Sequence, residues 1–519
     1  MKKTLKTTLT LVFPFFIVSC GETTTVSSTT TNETTEITTT ESISTTEAPL
    51  TTEELSFEGT YVLYEKSIGS VNTSSQYLFN VLTLDEDLNA IIKYVDIYGV
   101  DIEVGTYINI ENGVEVTFGF KTYTYIYNEE TEFLTYEGTI NRLDALIIYQ
   151  KDDQFFEGDT TGSVSFYDEL FGESSDEDFY NYCPSIMMEG NNIMHIWYCS
   201  NKESGIITDY IAYRKGTLSS DGLWTFTEKQ LVLEPTEGTW DEVHTCDPSV
   251  VKGLFNYNEE EYYYLMAYLG CISYNNASNE VGIAVAKNPE GPYIKVDEIN
   301  PIANYYDSPE FTDQVWTWGY GQPSLVSVDK AGQVLLFYTK GVVNGTYTQV
   351  EYLDLSDLNN PIRISSERVS NLGVVNASGI SDVINNASFA YDSYHNRLYV
   401  IKEDFPYTNH DGFDWITSSN TLLYLDLNDL DEFVGETLFV GTNLRWVTVE
   451  SITPNSTGYY KNHNCGLITD EYGWIINPYE IPLIYTVSDL IESLEEWEDE
   501  GIWSILDSYR LYGYKIEID

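Results

Sequence analysis

The residues of this chain best placed to do chemistry sit in short phrases ahead of apolar strands. In His244-Thr-Cys-Asp-Pro-Ser-Val-Val251 a carboxylate, Asp247, stands directly before a proline. His244 and Cys246, two residues apart, fall on one face of a strand because side chains alternate. His463 and Cys465 repeat that spacing in "NHNCG". Hydrolysis of a glycosidic bond needs two flanking carboxyl groups, one protonated and one ionised, roughly 5 to 10 Å apart. Asp247 and Asp382 are the first such pair, with Glu242, Glu310, Asp313 and Glu403 on neighbouring strand ends and loops as reserves. The chain holds 82 acidic residues, so most carboxylates are solvated turn residues, and the Asp-Pro phrase is what lifts Asp247 above that background. Trp316, Trp318 and Tyr320 in "VWTWGYGQPS" are the sugar-stacking candidates. Their competing reading is packing between strands.

These residues recur in a frame. "NYCPSIMM" from Asn181, "TCDPSVVK" from Thr245 and "GYGQPSLV" from Gly319 each lead an apolar strand, a polar turn and a second, aromatic-rich strand. Looser copies start at Ser381 ("SDVINNASFAYD") and His463 ("HNCGLITD"). Five units of three or four strands each predict a five-bladed β-propeller over residues 160–519, because a lone hairpin pair cannot bury both faces while neighbouring blades can. A double β-sandwich is the alternative, disfavoured because it needs no recurring strand-start motif. In a propeller the innermost strand of each blade starts near the axis. The residues before the frame proline would then ring one pocket: Cys183, Asp247, Gln322, Asp382 and the His463-Asn464-Cys465 segment.

Ahead of the repeats, residues 57–155 form short alternating runs bounded by Gly, Asn and Asp, such as "GTYVLYEK", "YLFNVLTLDED" and "VEVTFGFKTYTYIYNEE". They predict a small β-barrel or sandwich, so the whole folded chain reads as all-β. The order of these runs resembles the small lipocalin-like barrels of bacterial lipoproteins, and a barrel of this size is usually filled by its own side chains. Lys2, Lys3 and Lys6 before the apolar run Leu9–Val18 make an export signal. "IVSC" resembles a lipobox, which implies cleavage of residues 1–20 ahead of Cys20 and lipidation of that cysteine. Residues 21–56, dominated by Thr, Ser and Glu, are a disordered tether. The chain is thereby expected at the bacterial cell surface, a monomer meeting the membrane through its anchor only. Its net charge of -57 argues against nucleic acid and anionic head groups. With 43 Tyr, 22 Phe and 10 Trp, a neutral oligo- or polysaccharide is the partner that suits both aromatic faces and carboxylates.

Pro-Ser-Val-Val followed by an aromatic strand, then "VGIAVAKNPEGPYIKVD" from Val281, resembles the five-bladed propellers of glycoside hydrolase family 43 and their fructan-cleaving relatives. The resemblance covers residues 180 to 519. It implies an Asp before a proline at the axis, a blade-closing phrase, and, through "NHNCG", an axial His463 that helps bind substrate or hold a metal ion or water. The family carries a base Asp, a pKa-tuning Asp and an acid Glu on three inner strands. Here Cys183, Gln322 and Asp382 stand in the first, third and fourth frames, and only Asp247 fits. Either the carboxylates have moved to other loops, or the blade count is off by one, or the propeller binds without cleaving.

No cofactor is required for such hydrolysis. An axial metal ion is the one candidate, calcium, or zinc if His244, Cys246, His463, Cys465 and Cys183 form a real cluster. The competing reading is that these cysteines are buried small hydrophobes, with Cys199 and Cys271 as packing, and the five cysteines beyond Cys20 are an odd number for a complete disulfide framework. The expectation is a lipid-anchored glycoside hydrolase acting on neutral oligosaccharides. The alternative is a non-catalytic surface protein that captures a glycan or a protein.

Overall fold

A computed structural model describes residues 56–158, 160–171, 180–201, 208–274, 277–313, 315, 317–404, 416–427, 444–488 and 509–518. The signal segment with Cys20, residues 21–55 of the tether, Trp316 and residues 489–497, which the sequence reads as a short acidic helix capped by Ser488, lie outside them.

Eight antiparallel strands, from Gly59–Ile68 to Leu143–Lys151, pair each with the next. The last returns to the first from Tyr61↔Lys151 to Ile68↔Ala145, so the sheet closes into a barrel without an open edge. Alternation selects its filling. Val114, Val116 and Phe118 turn inward from one strand, and Leu82, Tyr125, Leu134 and Tyr149 from others complete a packed interior.

Five further sheets follow as blades. Their innermost strands are Tyr182–Glu189 in blade I, His244–Tyr257 in blade II, Gly319–Ser327 in blade III, Ala387–Asp392 in blade IV and Lys461–Thr469 in blade V. Later strands add outward by antiparallel pairing. The phrase from Val281 closes blade II as expected, its Ile294–Lys295 strand pairing with Ala284 and Val285. The final strand, Arg510–Glu517, completes blade V on Glu480–Ser488. The entering chain staples the ends of the propeller together: Val164 pairs with Trp224 of blade I, while Leu170 N donates to Leu511 O (3.0 Å) and Gly513 N to Phe166 O (3.1 Å) in blade V.

The frame serine explains the repeat. Ser185 Oγ accepts the N–H of Val250 (3.1 Å), Ser249 that of Leu325 (2.8 Å), Ser324 that of Phe389 (2.9 Å) and Ser388 that of Leu467 (3.1 Å). Each blade thus satisfies a buried donor of the next, a group that would cost about 1–3 kcal/mol if left unpaired. The fifth position is Gly466, where a Cβ would meet Pro184 O at 2.1 Å. Without a side chain there, blades V and I approach closely enough for their inner strands to pair in parallel at Ile186↔Ile468 and Met187↔Thr469.

That ring corrects one expectation. The fourth frame is Asn386-Ala387-Ser388, four residues beyond Asp382. Alanine replaces the frame proline in this blade while the serine is kept, so the serine bond, made from four of the five blades, and not the proline carries the repeat.

The barrel packs on the propeller through a common core, in which Phe79 and Val95 meet Phe166, Ile186 and Ile468. Trp224 Nε1 donates to Ile97 O across the same junction (2.9 Å).

Candidate functional site

The residue before each frame is Cys183, Asp247, Gln322, Asn386 or Asn464, and all five adopt left-handed backbone, with φ of 49°, 46°, 51°, 45° and 38°. Asn and Asp tolerate this region, while Cys and Gln are strained in it by about 1–3 kcal/mol. In blades I, II, III and V the strand register slips at this point, a bulge that turns the residue to the axis. A left-handed residue at one level of every blade, strained at Cys183 and Gln322, marks this end of the channel as the constructed site.

Side chains from the second strands hold the ring residues. Cys199 of blade I accepts the N–H of Asp247 on Sγ (2.9 Å), Thr339 of blade III accepts that of Asn386 on Oγ1 (3.1 Å), and Glu403 of blade IV accepts that of Asn464 on Oε1 (3.0 Å). Glu403 therefore occupies the blade IV version of a support position. It is fully buried, and His463 sets Nδ1 against the same Oε1. Tyr509 stacks on the His463 ring at 5.8 Å and 22°. A second carboxylate–imidazole pair stands on blades I and II, Asp209 Oδ2 lying 2.7 Å from His244 Nδ1. Tyr182 donates its hydroxyl to Asp209 Oδ1 (3.1 Å).

Asp247 sits between these pairs, 9% exposed. Burial, with the charges of Asp209 and Glu403, pushes its carboxyl up to about 6, against the Cys183 thiol that donates to it and His463, which pull it down. Burial would also raise Glu403, but His463, the Asn464 N–H and Asn386 hold that carboxyl below its usual range. A continuous polar path joins the two. Cys183 donates to Asp247, and Asn464 Nδ2 donates to Cys183 Sγ (2.6 Å) and to Asn386 Oδ1 (3.0 Å). Two carboxyls in one buried network, driven apart in proton affinity, are the pattern that assigns one as acid and the other as a fixed anion.

The remaining expected site residues divide. Gln322 is in the ring, with Oε1 buried and unpartnered. Trp318 is half-buried against Cys199, Cys246, Leu269 and Cys271 beside the ring. Tyr320 is a core residue, 3% exposed, hydrogen-bonded to Glu310 with Lys340 Nζ 4.4 Å from its ring centre, and packing between blades is the reading that describes it. Asp382 lies outside the ring, buried in a salt bridge to Lys402, whose ammonium also reaches Asp404 Oδ1 (3.0 Å). A carboxylate neutralised by a fully buried lysine is a structural group. Glu310 is tied to Tyr320, Tyr347 and Lys340, and Glu242 and Asp313 are exposed. Glu403, one of the reserves, is the acid that the fold brings to Asp247.

Cys199 and Cys246 form a disulfide from blade I to blade II, Cα–Cα 5.1 Å. This corrects the reading of Cys199 as packing, and it removes Cys246 from any thiolate metal set. The ligand atoms of Cys183, Cys199, Cys246 and Asp247 do lie within 4.8 Å of one another, but two of them are covalently joined. No histidine is among those clustered ligand atoms, so among the described residues the Cys/His set that zinc would need is not assembled. For calcium the ring supplies Asp247 and the unpartnered oxygens Gln322 Oε1 and Asn464 Oδ1, and the rest of the six to eight oxygen ligands that ion takes would be water. No step of the chemistry is routed through a metal ion.

No protein-family model matches the chain, and no curated protein is similar to it in sequence. Among solved structures, similar chains include an α-L-arabinofuranosidase from Podospora anserina in complex with cellotriose, at 11% identity over 68% of this chain and 95% of that one, TM-score 0.38. A family 117 glycoside hydrolase from the marine bacterium Zobellia galactanivorans is 13% identical over 67% and 87%, TM-score 0.40. A GH43_1 enzyme from Xanthomonas citri complexed with xylotriose is 11% identical over 67% and 89%, TM-score 0.38. At such scores these likenesses carry no argument. The propeller rests on the strand pairing above, and the function on the site.

Proposed function

We propose that the propeller is a carbohydrate-active domain that hydrolyses glycosidic bonds of neutral oligosaccharides at the blade-start end of its axis, on a protein held at the cell surface by lipidated Cys20. The observation that carries this reading is the raised, buried Asp247 carboxyl in one network with the anionic Glu403. Near neutral pH a fraction of Asp247 still holds its proton and can deliver it to the leaving oxygen, a contribution of about 10²–10⁴-fold. Glu403 keeps its charge against His463 Nδ1, which places the imidazole proton there and leaves the Nε2 lone pair to draw a proton from the attacking water. Glu403 is thus a positioning residue, and Asp247 and His463 are the groups that meet the substrate.

A specific observation favours a second reading, capture without cleavage. Cys183 and Gln322 stand at ring positions one and three, and burial pushes the Cys183 thiol well up, so neither supplies a carboxylate.

The experiment is reducing-sugar release by the full chain on arabinan, xylan and fructan oligosaccharides, beside Asp247→Asn and Glu403→Gln. Release by the parent, reduced at least 100-fold in Asp247→Asn, supports hydrolysis. No release from any substrate, with saccharide binding retained by calorimetry, leaves the capture reading.

A further inference from the structure

A second cavity lies at the junction of barrel and propeller, far from the ring. Its propeller wall includes Met188 and Asn191, at the opposite end of the blade I inner strand from Cys183, and Asn477 and Glu480 from the turn that follows the blade V inner strand. Its barrel wall is the segment from Ser75 to Tyr77 and that from Tyr94 to Asp101. The volume is about 400 Å³, within the range of roughly 300–1,000 Å³ for small-molecule sites. The two walls are fixed to each other by the common core and by direct bonds. Asn191 Nδ2 donates to Tyr77 O (2.6 Å) and Asn477 Nδ2 to Gln76 Oε1 (3.0 Å).

The lining has a definite chemistry. Four tyrosines contribute: Tyr77 and Tyr94, whose rings meet edge to face at 5.3 Å, and Tyr98 and Tyr167, parallel at 6.4 Å and 14°. Asp96, Asp101 and Glu480 supply acceptors, and Lys515 supplies donors, its ammonium 4.9 Å from the centre of the Tyr98 ring and 3.8 Å from Glu480. The bond from Asn477 fixes the Gln76 amide by its oxygen and leaves Nε2 buried with no partner. An anionic ligand is excluded by three carboxylates against one ammonium. A simple cation would compete with Lys515. A ligand that offers hydroxyls, which donate and accept at once, together with apolar faces to lie on tyrosine, answers every feature.

We infer that this junction is a second saccharide-binding site, accepting one or two sugar units of a neutral glycan and holding it on the propeller face opposite the axial ring. The inference deepens the carbohydrate reading of the protein, from which it takes the ligand class, but it does not depend on cleavage. Its function is retention. A tethered protein that grips a polymer at a non-cleaving site keeps its axial end in contact with the same polymer.

The test uses the full chain carrying Asp247→Asn, so that ligand is not consumed. Xylotriose, arabinotriose and inulotriose are titrated by calorimetry against that protein and against the same protein with Gln76→Ala, Asp101→Asn or Tyr94→Ala, each checked by thermal melting. Asp101 is exposed, so its variant folds even if the others do not. The expected result is binding of at least one trisaccharide, weakened tenfold or more by the junction variants. Binding that the junction variants leave intact overturns the inference. So does binding of choline or spermidine in place of every sugar, and so does no binding of any of the three sugars. Hydrolysis by the parent chain separates the two ideas. Cleavage with no junction binding overturns this site alone, and junction binding with no cleavage overturns the axial hydrolase alone.

Discussion

The backbone N–H of Asn464 on blade V donates to Glu403 Oε1 on blade IV at 3.0 Å, and the same oxygen faces His463. One fully buried carboxylate therefore fixes both the left-handed ring residue and the imidazole beside it. Removing that charge leaves two donors without an anion. Glu403→Gln is expected to lose about 1–3 kcal/mol of stability, the cost of leaving buried donors without their anion, and to shift the pH dependence of any turnover as His463 loses its oriented tautomer. Urea unfolding and a pH–rate profile of the variant check the two effects. A purely structural Glu403 would lower stability and leave the profile in place.

Asp247 is expected to cost stability where it helps function. Its folded carboxyl titrates at about 6, above its ordinary value of 3.8, so between those values the folded protein binds more protons than the unfolded chain. Stability then falls as pH rises through that window, by a total on the order of 3 kcal/mol. Asp247→Asn removes this dependence. The variant should be more stable than the parent at pH 8, and the difference should vanish near pH 4. Thermal melts across this range measure it, and a constant difference would contradict the raised carboxyl.

The serine ring makes a graded prediction. Ser249→Ala strands the Leu325 N–H and is expected to cost about 1–3 kcal/mol. Gly466→Ala puts a methyl 2.1 Å from Pro184 O, against backbone rather than a flexible side chain, and is expected to cost more than the serine change because it opens the parallel seam of blades V and I. Denaturant midpoints rank the two, and the reverse order would contradict the seam.

The bridge Cys199–Cys246 joins positions 47 residues apart, and chain entropy puts its worth at about 4 kcal/mol. Among the five cysteines beyond Cys20, alkylation of the unreduced protein, after unfolding, should label Cys183, Cys271 and Cys465 and spare Cys199 and Cys246. The double variant Cys199→Ala/Cys246→Ala should melt lower and loosen Asp247, whose N–H rests on Cys199 Sγ. Labelling of all five would contradict the bridge.

Much of this was legible in the residues. The Cys183-Pro-Ser, Asp247-Pro-Ser and Gln322-Pro-Ser phrases expose three blades directly, because each frame serine bonds the inner strand of the next blade. The fourth phrase, Asn386-Ala387-Ser388, lacks proline, so the copy that starts at Ser381 puts Asp382 in the ring and hides Asn386. Glu403 stands at a strand end outside any frame. Its one signal is the run Lys402-Glu403-Asp404 closing an apolar strand, three charges whose burial only tertiary packing decides. The disulfide was equally hidden, since it joins the second strand of one blade to the inner strand of the next. Alternation and turn residues pointed to a small barrel or sandwich, which the pairing of first and last strands resolves as a barrel, but the cavity it forms with the propeller depends on docking that no local pattern encodes.

The central claim is that Asp247 delivers the proton to the leaving oxygen, and substrates of different leaving-group quality test it most directly. A dinitrophenyl glycoside departs without protonation, whereas an oligosaccharide does not. The measurement is kcat/KM of parent and Asp247→Asn on both substrates of whichever sugar the parent cleaves. The account predicts a loss of 100-fold or more on the oligosaccharide and less than about tenfold on the dinitrophenyl glycoside. Equal losses on the two, or no loss on the oligosaccharide, would contradict it.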